Sequence, residues 1–335
     1  MSSAVNVAIV GATGAVGQEF LTVLAERKFP IRSLKLLASA RSAGKTVEFA
    51  GKPIVVEELT KESFRGVQVA FFSAGGGVSR EFAPAAVAAG AVVIDNTSAF
   101  RMKDGVPLVV PEVNPEQIHK HVGLIANPNC STIIMNVAVW PLYKANRVKR
   151  IIVSTYQAVS GAGAAGLHEL QSQMQAHVAG SPVTPSLFPH PILGNVFSHN
   201  TKIADNGYNE EENKMVNETR KIFGDSKIMI AATCIRVPVP RAHSESINLE
   251  FERPMTPGQV KEILAKSPGV RLVDDREKNH FPMPIEASGQ DDVFVGRIRQ
   301  DISRDDGRGI ELFVSGDQVR KGAATNAVQI AEKLV

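Results

Sequence analysis

Cysteine is scarce in this chain: Cys130 and Cys234 are the only two among 335 residues. Two thiols cannot build the disulfide framework of a small secreted fold, so a reducing compartment, the cytoplasm, is expected. Charge of one sign is also missing. Against 37 basic residues stand 34 acidic ones, a formal net charge of +3 with no block of like charge, and this excludes the electrostatic footprint of a nucleic-acid binder. No apolar run approaches the ~20 residues of a membrane span. Met1-Ser2-Ser3 leads into a short apolar strand without the basic region of a secretion signal. Repeats and low-complexity tracts are absent as well. What remains is 44% hydrophobic and 21% charged, the composition of a soluble globular protein of about two domains with small-molecule partners.

The first part of the chain alternates apolar runs with helical stretches. Val5–Val10, Leu34–Ala38, Gln68–Ser73 and Ala91–Asn96 read as strands, and Ala15–Glu26 and Ser79–Ala89 as helices. Such alternation predicts βαβ units around a parallel sheet. From Lys149 onward the strands lengthen: Arg150–Ala158, Lys227–Val237, Ser246–Glu252, Asp292–Ile302 and Gly309–Val314. Helical patterns lie at Ala164–Val178, Glu210–Phe223, Thr256–Lys266 and Arg320–Leu334. An antiparallel or mixed sheet is expected there. The Pro-rich Ser181–Pro191 reads as a long loop. The division expected is a nucleotide domain over residues 1–129, completed by a returning C-terminal helix at 316–335, and a catalytic and assembly domain over 130–315.

Gly11-Ala12-Thr13-Gly14-Ala15-Val16-Gly17 follows the first strand and opens the first helix. A dinucleotide loop requires that context: glycines let the backbone approach the pyrophosphate, and the helix N-terminus holds its charge. At the end of the next strand, Leu36-Leu37-Ala38-Ser39-Ala40-Arg41-Ser42 offers no carboxylate for a ribose 2′-hydroxyl. Arg41 can instead donate a charged fork to a 2′-phosphate, which favours NADP. A solvated loop arginine is the plainer alternative. Ser73-Ala74-Gly75-Gly76-Gly77 is a second glycine turn after a strand.

Asn127-Pro128-Asn129-Cys130-Ser131-Thr132 places a thiol where a helix-breaking tetrad meets the apolar run Ile133–Trp140. At the start of a helix, unpaired N–H groups and the positive end of the dipole stabilise a thiolate, the form that attacks carbon. Cys234, inside an apolar strand, reads as a core thiol. His243 follows Arg236-Val237-Pro238-Val239-Pro240-Arg241-Ala242 in an expected kinked turn, and imidazole could exchange a proton with a thiol or water near neutral pH. A surface turn histidine fits that spacing equally. Arg236 and Arg241 flank it and suit an anionic substrate. Arg101 and Lys214 are further cations, although Glu211 and Lys214, three apart on a helix, are explained equally by a solvated ion pair. Gln157 leaves a strand toward the glycine turn Ser160-Gly161-Ala162-Gly163 and could hydrogen-bond a carbonyl or carboxylate.

Several of these stretches together resemble the bacterial aspartate-β-semialdehyde dehydrogenase family. They are Gly11–Gly17, Asn127–Thr132, Gln157–Gly163, Glu210-Glu211-Glu212-Asn213-Lys214-Met215, Arg236–Val239 with His243-Ser244-Glu245, and Asp317-Gln318-Val319-Arg320-Lys321-Gly322-Ala323-Ala324. The resemblance runs from one terminus to the other, with the thiol, glutamine, arginine and histidine in the family order. It implies an α/β fold like glyceraldehyde-3-phosphate dehydrogenase, with a Rossmann-type NADP-binding domain, an α+β catalytic and dimerisation domain, and a homodimer or dimer-based tetramer. It implies Cys130 as acyl-thioester nucleophile, His243 as acid/base, Gln157 orienting the thioester and Arg236 on the substrate carboxylate. Arg101 and Lys214 would hold inorganic phosphate or the phosphoryl group, and Glu211 the substrate amino group. The cofactor residues implied are Gly11, Thr13, Gly14, Ala15, Val16, Arg41, Ser42, Ser160, Gly161 and Gln318, with no metal. Related acyl-phosphate reductases and a silent nucleotide-binding homologue stand as alternatives.

Overall fold

The computed structural model describes residues 4–335. It divides into two compact units, Met1–Asn129 with Gly322–Val335, and Cys130–Lys321. In the first unit the chain runs β1 (Val5–Val10), α1 (Ala15–Glu26), β2 (Ile31–Ala38), β3 (Thr46–Phe49), β4 (Lys52–Glu58), β5 (Val69–Phe72), α2 (Gly76–Ala88), β6 (Val92–Asp95) and β7 (Leu124–Ala126). The strands form one sheet in the order β3-β4-β2-β1-β5-β6-β7. All neighbours are parallel except the β3–β4 hairpin. Strand β1 is buried at all but one position and β5 throughout, as strands covered on both faces must be. Phe20 of α1 packs on Phe71 of β5 with ring centroids 4.8 Å apart. The C-terminal helix, Thr325–Glu332, joins this same core through Ala327, Val328, Ile330 and Ala331. Expected strands and helices are present here to within a few residues. Sequence reasoning missed the β3–β4 hairpin and β7; β3 and β7 are the two edge strands, four and three residues long.

The second unit begins on α3 (Cys130–Ala145). It continues through β8 (Val148–Gln157), α4 (Ala164–Val178), β9 (Phe197–Ser198), α5 (Glu210–Phe223), β10 (Met229–Arg236), β11 (His243–Phe251), α6 (Pro257–Leu264), β12 (Val270–Leu272), α7 (Pro284–Ala287), β13 (Val293–Gln300) and β14 (Gly309–Gly316). The sheet order is β12-β13-β14-β11-β8-β10-β9. It is mixed: β8 runs parallel to β10 and antiparallel to β11. Helix α3 is buried continuously from Ser131 to Val139, which is why its apolar run has no polar stripe.

Helix α5 shows how closely local sequence sets its ends. Asn209 caps it by accepting from the Glu212 N–H at 2.9 Å, while the Glu212 carboxylate accepts from the Asn209 N–H at 2.8 Å. This reciprocal cap contributes about 1 kcal/mol. Three glutamates fill the first turn, Arg220 and Lys221 the last, and Gly224 ends the helix at φ 65°, each matching the helix dipole or the left-handed stop.

Candidate active site

Three neighbouring strands end together at one edge of the second unit's sheet. Gln157 closes β8 and Arg236 closes β10, and the two are directly paired in register. His243 opens β11, one step beyond the Ser244–Tyr156 pair. His243 is therefore not in an exposed turn, as Pro238 and Pro240 had suggested. The prolines end in Ala242, held at φ 69°, and the chain re-enters the sheet with His243 fully buried.

Each side chain in this row has defined partners. The Ala158 N–H donates to His243 Nδ1 at 3.0 Å, whereas buried Nε2 has no hydrogen-bond partner. Burial first, and then the positive charge of Arg236, hold the His243 pKa well below the ordinary imidazole value. Arg236 Nη1 donates to the Ala158 carbonyl at 2.7 Å, its Nη2 lies 2.7 Å from His199 Nε2, and Phe188 faces the guanidinium at 5.6 Å. Burial pulls the Arg236 pKa down, while negative charge on Glu211 and Cys130 opposes that shift. Gln157 accepts from Thr155 Oγ1 at 3.2 Å and donates to Glu211 Oε1 at 3.1 Å.

Glu211 is thus part of the site. The solvated pair suggested by its spacing to Lys214 is a real ion pair at 3.2 Å, but the Glu211 side chain is only 6% exposed. The next glutamate has a different task, since Glu212 Oε1 accepts from the Cys234 N–H at 2.9 Å and ties α5 to β10. Cys234 is buried among Glu211, Glu212 and Glu245, and burial pushes its thiol far above the usual range. It is the inert core cysteine expected. Cys130 is half-buried as the first residue of α3, where the helix N-terminus favours a thiolate.

Gly161 walls this row. A Cβ placed there would come within 3.1 Å of Arg236 Nη1 and 3.2 Å of His243 Nε2, so only glycine leaves both groups open. Beside it, Gln318 Nε2 donates to Ser160 Oγ, and Gln318 Oε1 accepts from the Ala242 N–H at 2.8 Å. The second unit therefore brings together Cys130, Gln157, Ser160, Gly161, Glu211, Lys214, Arg236, His243 and Gln318. Arg241 turns away into an ion pair with buried Asp317 at 2.6 Å. Sequence reasoning missed His199, Phe188 and Thr155. No motif marks His199; only its burial and its contact with Arg236 identify it. Burial sets its pKa at about 4, so it is neutral near pH 7.

In the first unit, Gly11 takes φ +87° where a Cβ would lie 2.5 Å from the Ser73 carbonyl, and a Cβ on Gly17 would strike the Gly11 carbonyl at 2.2 Å. The loop and α1 close onto each other only because both are glycine. Gly14 caps α1 without any side-chain hydrogen bond, so the N–H groups of Ala15 and Val16 face no side-chain cap. Ser42 Oγ sits 3.5 Å from Thr13 Oγ1, and Arg41 is exposed on the same turn after β2. Arg101 is buried just beyond the carboxyl end of β6, its Nε donating to the Asn127 carbonyl at 2.9 Å and Nη2 to the Asn96 carbonyl at 3.0 Å. Open α/β sheets bind ligands at that edge. An unforeseen asparagine cluster braces it: Asn127 Nδ2 donates to Asn96 Oδ1 at 2.7 Å, and Asn326 Nδ2 to Asn127 Oδ1 at 2.6 Å.

Among the described residues no cluster of histidine, cysteine and carboxylate could hold a metal ion, and no helix is long and apolar enough to cross a membrane. Residues 6–121 match the family model of the semialdehyde dehydrogenase NAD binding domain, and residues 139–321 that of the semialdehyde dehydrogenase dimerisation domain. The aspartate-semialdehyde dehydrogenase of a Synechocystis species is 54% identical across 100% of this chain and 98% of its own length. That of Aquifex aeolicus is 53% identical over 98% of each. The crystal structure of aspartate semialdehyde dehydrogenase II from Vibrio cholerae, complexed with ASA, superimposes with a TM-score of 0.95 at 50% identity, covering 99% of this chain and 98% of that one. With glycine loop, helix-start thiol and the glutamine, arginine and histidine row all in place, this chain belongs to the aspartate-semialdehyde dehydrogenase family.

Proposed function

We propose that this chain catalyses the NADPH-dependent reductive dephosphorylation of 4-phospho-L-aspartate to L-aspartate 4-semialdehyde through a thioester on Cys130, in the biosynthesis of lysine, threonine, methionine and diaminopimelate. The observation that carries this reading is the convergence of Gln157, Arg236 and His243 at one sheet edge, in the unit whose first residue is Cys130 at the head of α3. The Cys130 thiolate attacks the acyl phosphate and phosphate leaves. NADPH, when bound, supplies the hydride that reduces the thioester carbon. A thioester suits this step because its carbonyl is less resonance-stabilised than an ester's, and covalent attachment fixes it in place. Arg236 forks the α-carboxylate, Glu211 takes the ammonium, and Gln157 Nε2 orients the carbonyl oxygen. Arg101 and Lys214 hold the phosphoryl group, and their charge offsets its desolvation. The decisive assay is phosphate-dependent reduction of NADP with aspartate semialdehyde, run beside glyceraldehyde 3-phosphate and N-acetylglutamate semialdehyde. Turnover of either rival in place of aspartate semialdehyde refutes the substrate assignment.

The first unit fits a dinucleotide phosphate. Thr13, Gly14, Ala15 and Val16 would hold the pyrophosphate at the uncapped helix start, with Gly11 shaping the turn. Arg41 and Ser42 would hold the 2′-phosphate, and Ser160, Gly161 and Gln318 are assigned to the cofactor by the family pattern. Arg41→Asp is expected to lower kcat/KM for NADP by about 100-fold, as a charged hydrogen bond is replaced by repulsion, and to spare NAD. Unaltered selectivity in paired NADP and NAD titrations would show that the 2′-phosphate lies elsewhere.

We assign the enzyme to the cytoplasm, as a homodimer or dimer-based tetramer. The dimerisation-domain match supports association. So does the outward sheet face, where Tyr156 is 40% and Met229 50% exposed. Light scattering on the purified protein is expected to give a dimer or larger, and a monomer at working concentrations rejects this.

A further inference from the structure

We propose that Glu169 is a positioning residue for the substrate carboxylate: it clasps a strap of chain, residues 184–201, whose Phe188 and His199 set the plane of the Arg236 guanidinium. This rests on the reading of Arg236 given above and deepens it. From residue 181 to 196 the chain forms neither helix nor strand, so its backbone donors need partners from elsewhere. Two side chains of α4, neighbours at i and i+4 on one face, supply them. Glu169 Oε2 accepts from the Leu187 N–H, from the Phe188 N–H at 3.2 Å and from Ser186 Oγ at 3.0 Å. Gln173 Oε1 accepts from the Ile192 and Leu193 N–H groups, both at 2.9 Å. The pair is tied together, since Gln173 Nε2 donates to Glu169 Oε1 at 2.9 Å. Burial works to raise the Glu169 pKa, but the N–H groups of Leu187, Ser186 and Phe188 outweigh it and hold the carboxyl below its usual range. The clasp is therefore charged near neutral pH. Phe188 and Ile192 of the strap complete the hold by packing with Val159 and Leu170 in a small buried cluster.

The strap delivers two groups to Arg236. Phe188 faces the guanidinium at 5.6 Å. Farther along, Phe197 pairs in register with Arg236 where β9 meets β10, and the His199 N–H donates to the Cys234 carbonyl at 2.8 Å. That backbone contact sets His199 Nε2 2.7 Å from Arg236 Nη2. A guanidinium can only donate, so Nε2 accepts, and burial keeps the ring neutral with a pKa of about 4. Asn200 Oδ1 lies 3.4 Å from the same guanidinium nitrogen. His199 is itself oriented by Thr201, whose Oγ1 is 3.3 Å from Nδ1 and accepts from the Glu211 N–H at 3.3 Å. On the other side Nη1 donates to the Ala158 carbonyl. Both terminal nitrogens are thus held, and the buried Nε, which has no partner, is left for the substrate. Release of the strap frees only the Nη2 side. The guanidinium would keep its charge and its Nη1 anchor but lose the aim on which a carboxylate contact depends. Since the α-carboxylate is not the reacting end of the substrate, the loss falls on binding and spares the chemical step.

The test joins amide hydrogen exchange, read without substrate, to steady-state kinetics on the full-length enzyme. Glu169→Gln keeps the size of the side chain but has one accepting oxygen in place of two, so either the strap or Gln173 loses its partner. Exchange at Leu187 and Phe188 is expected to accelerate at least about tenfold; wild-type rates there would overturn the clasp. KM for aspartate semialdehyde should rise about tenfold, with kcat within about threefold of wild type and KM for phosphate and for NADP unchanged. A general loosening of the fold would move all three KM values. That result, or an unmoved KM for aspartate semialdehyde in a variant whose exchange has accelerated, overturns the positioning role. His199 tests the contact with Arg236 independently of the clasp. His199→Gln can present an amide oxygen to Nη2 and should stay within about threefold of wild type, whereas His199→Leu has no acceptor and should raise KM about tenfold. Equal KM values in two variants that both retain the wild-type circular dichroism spectrum would also overturn the proposal. Exchange is independent of turnover, so an enzyme inactive on aspartate semialdehyde would refute the assigned reaction while leaving the clasp result intact.

Discussion

Cys130→Ala is expected to lower kcat for aspartate semialdehyde by at least about 10⁴-fold, because no covalent intermediate can form once the nucleophile is gone. NADP affinity should stay unchanged, since the glycine loop and α1 belong to the other compact unit. The contrast between the two readouts is what identifies chemistry. A variant that merely misfolds would lose both. Cys130→Ser sharpens the comparison: the hydroxyl has similar size but is not ionised near neutral pH, so even the favourable end of α3 cannot make it an anion. Rapid-quench trapping should detect the acyl enzyme in the wild type and in neither variant. Turnover by Cys130→Ala within tenfold of wild type would remove the thioester from the mechanism. Cys234 offers the internal control, as its buried thiol, 0% exposed, should resist alkylation under conditions that inactivate Cys130.

Much of this arrangement was legible in the residues because the signals were local. The strand, glycine loop and helix over Val5–Glu26 occur where the alternation placed them, since glycine, apolar period and helix start all constrain neighbouring positions. Helices Ala164–Val178 and Glu210–Phe223 likewise match, each ended by small or left-handed residues. The thiol at the head of α3 followed from a breaker tetrad meeting an apolar run. Non-local relations were not legible. His243 looked exposed because Pro238 and Pro240 mark a turn, yet the burial comes from β8 and β14, distant in sequence: His243 pairs with Gly316 of β14, and the next residue, Ser244, with Tyr156 of β8. Glu211 looked solvated because its neighbour at i+3 satisfies it, while its second partner, Gln157, is 54 residues away. His199 and the Asn96–Asn127–Asn326 cluster carry no motif at all, since amide and imidazole partners are specified only by the fold. Full-length identity of 54% to the aspartate-semialdehyde dehydrogenase of a Synechocystis species then showed the family, where the local motifs by themselves were shared with related acyl-phosphate reductases.

Arg236→Lys should raise KM for aspartate semialdehyde by about 100-fold, near the cost of losing a buried, bidentate charged contact. The surroundings explain why a conserved charge is not enough. Arg236 is 2% exposed, with its plane facing Phe188 and its two terminal nitrogens on the Ala158 carbonyl and His199. A planar guanidinium can keep those contacts and still offer its buried Nε, which has no partner, toward a carboxylate. An ammonium on a flexible stem has no such plane, and it loses its proton more readily when desolvated. Because the carboxylate is held in ground state and transition state alike, KM should carry most of the effect and kcat should change by less than about tenfold. His243 adds a secondary readout: Arg236 opposes protonation of the imidazole, so a lysine that moves its charge away or loses it should let the ring titrate closer to neutral pH. A KM unchanged from wild type would take the substrate carboxylate away from Arg236. A kcat loss with KM intact would instead place this guanidinium on the reacting end of the substrate.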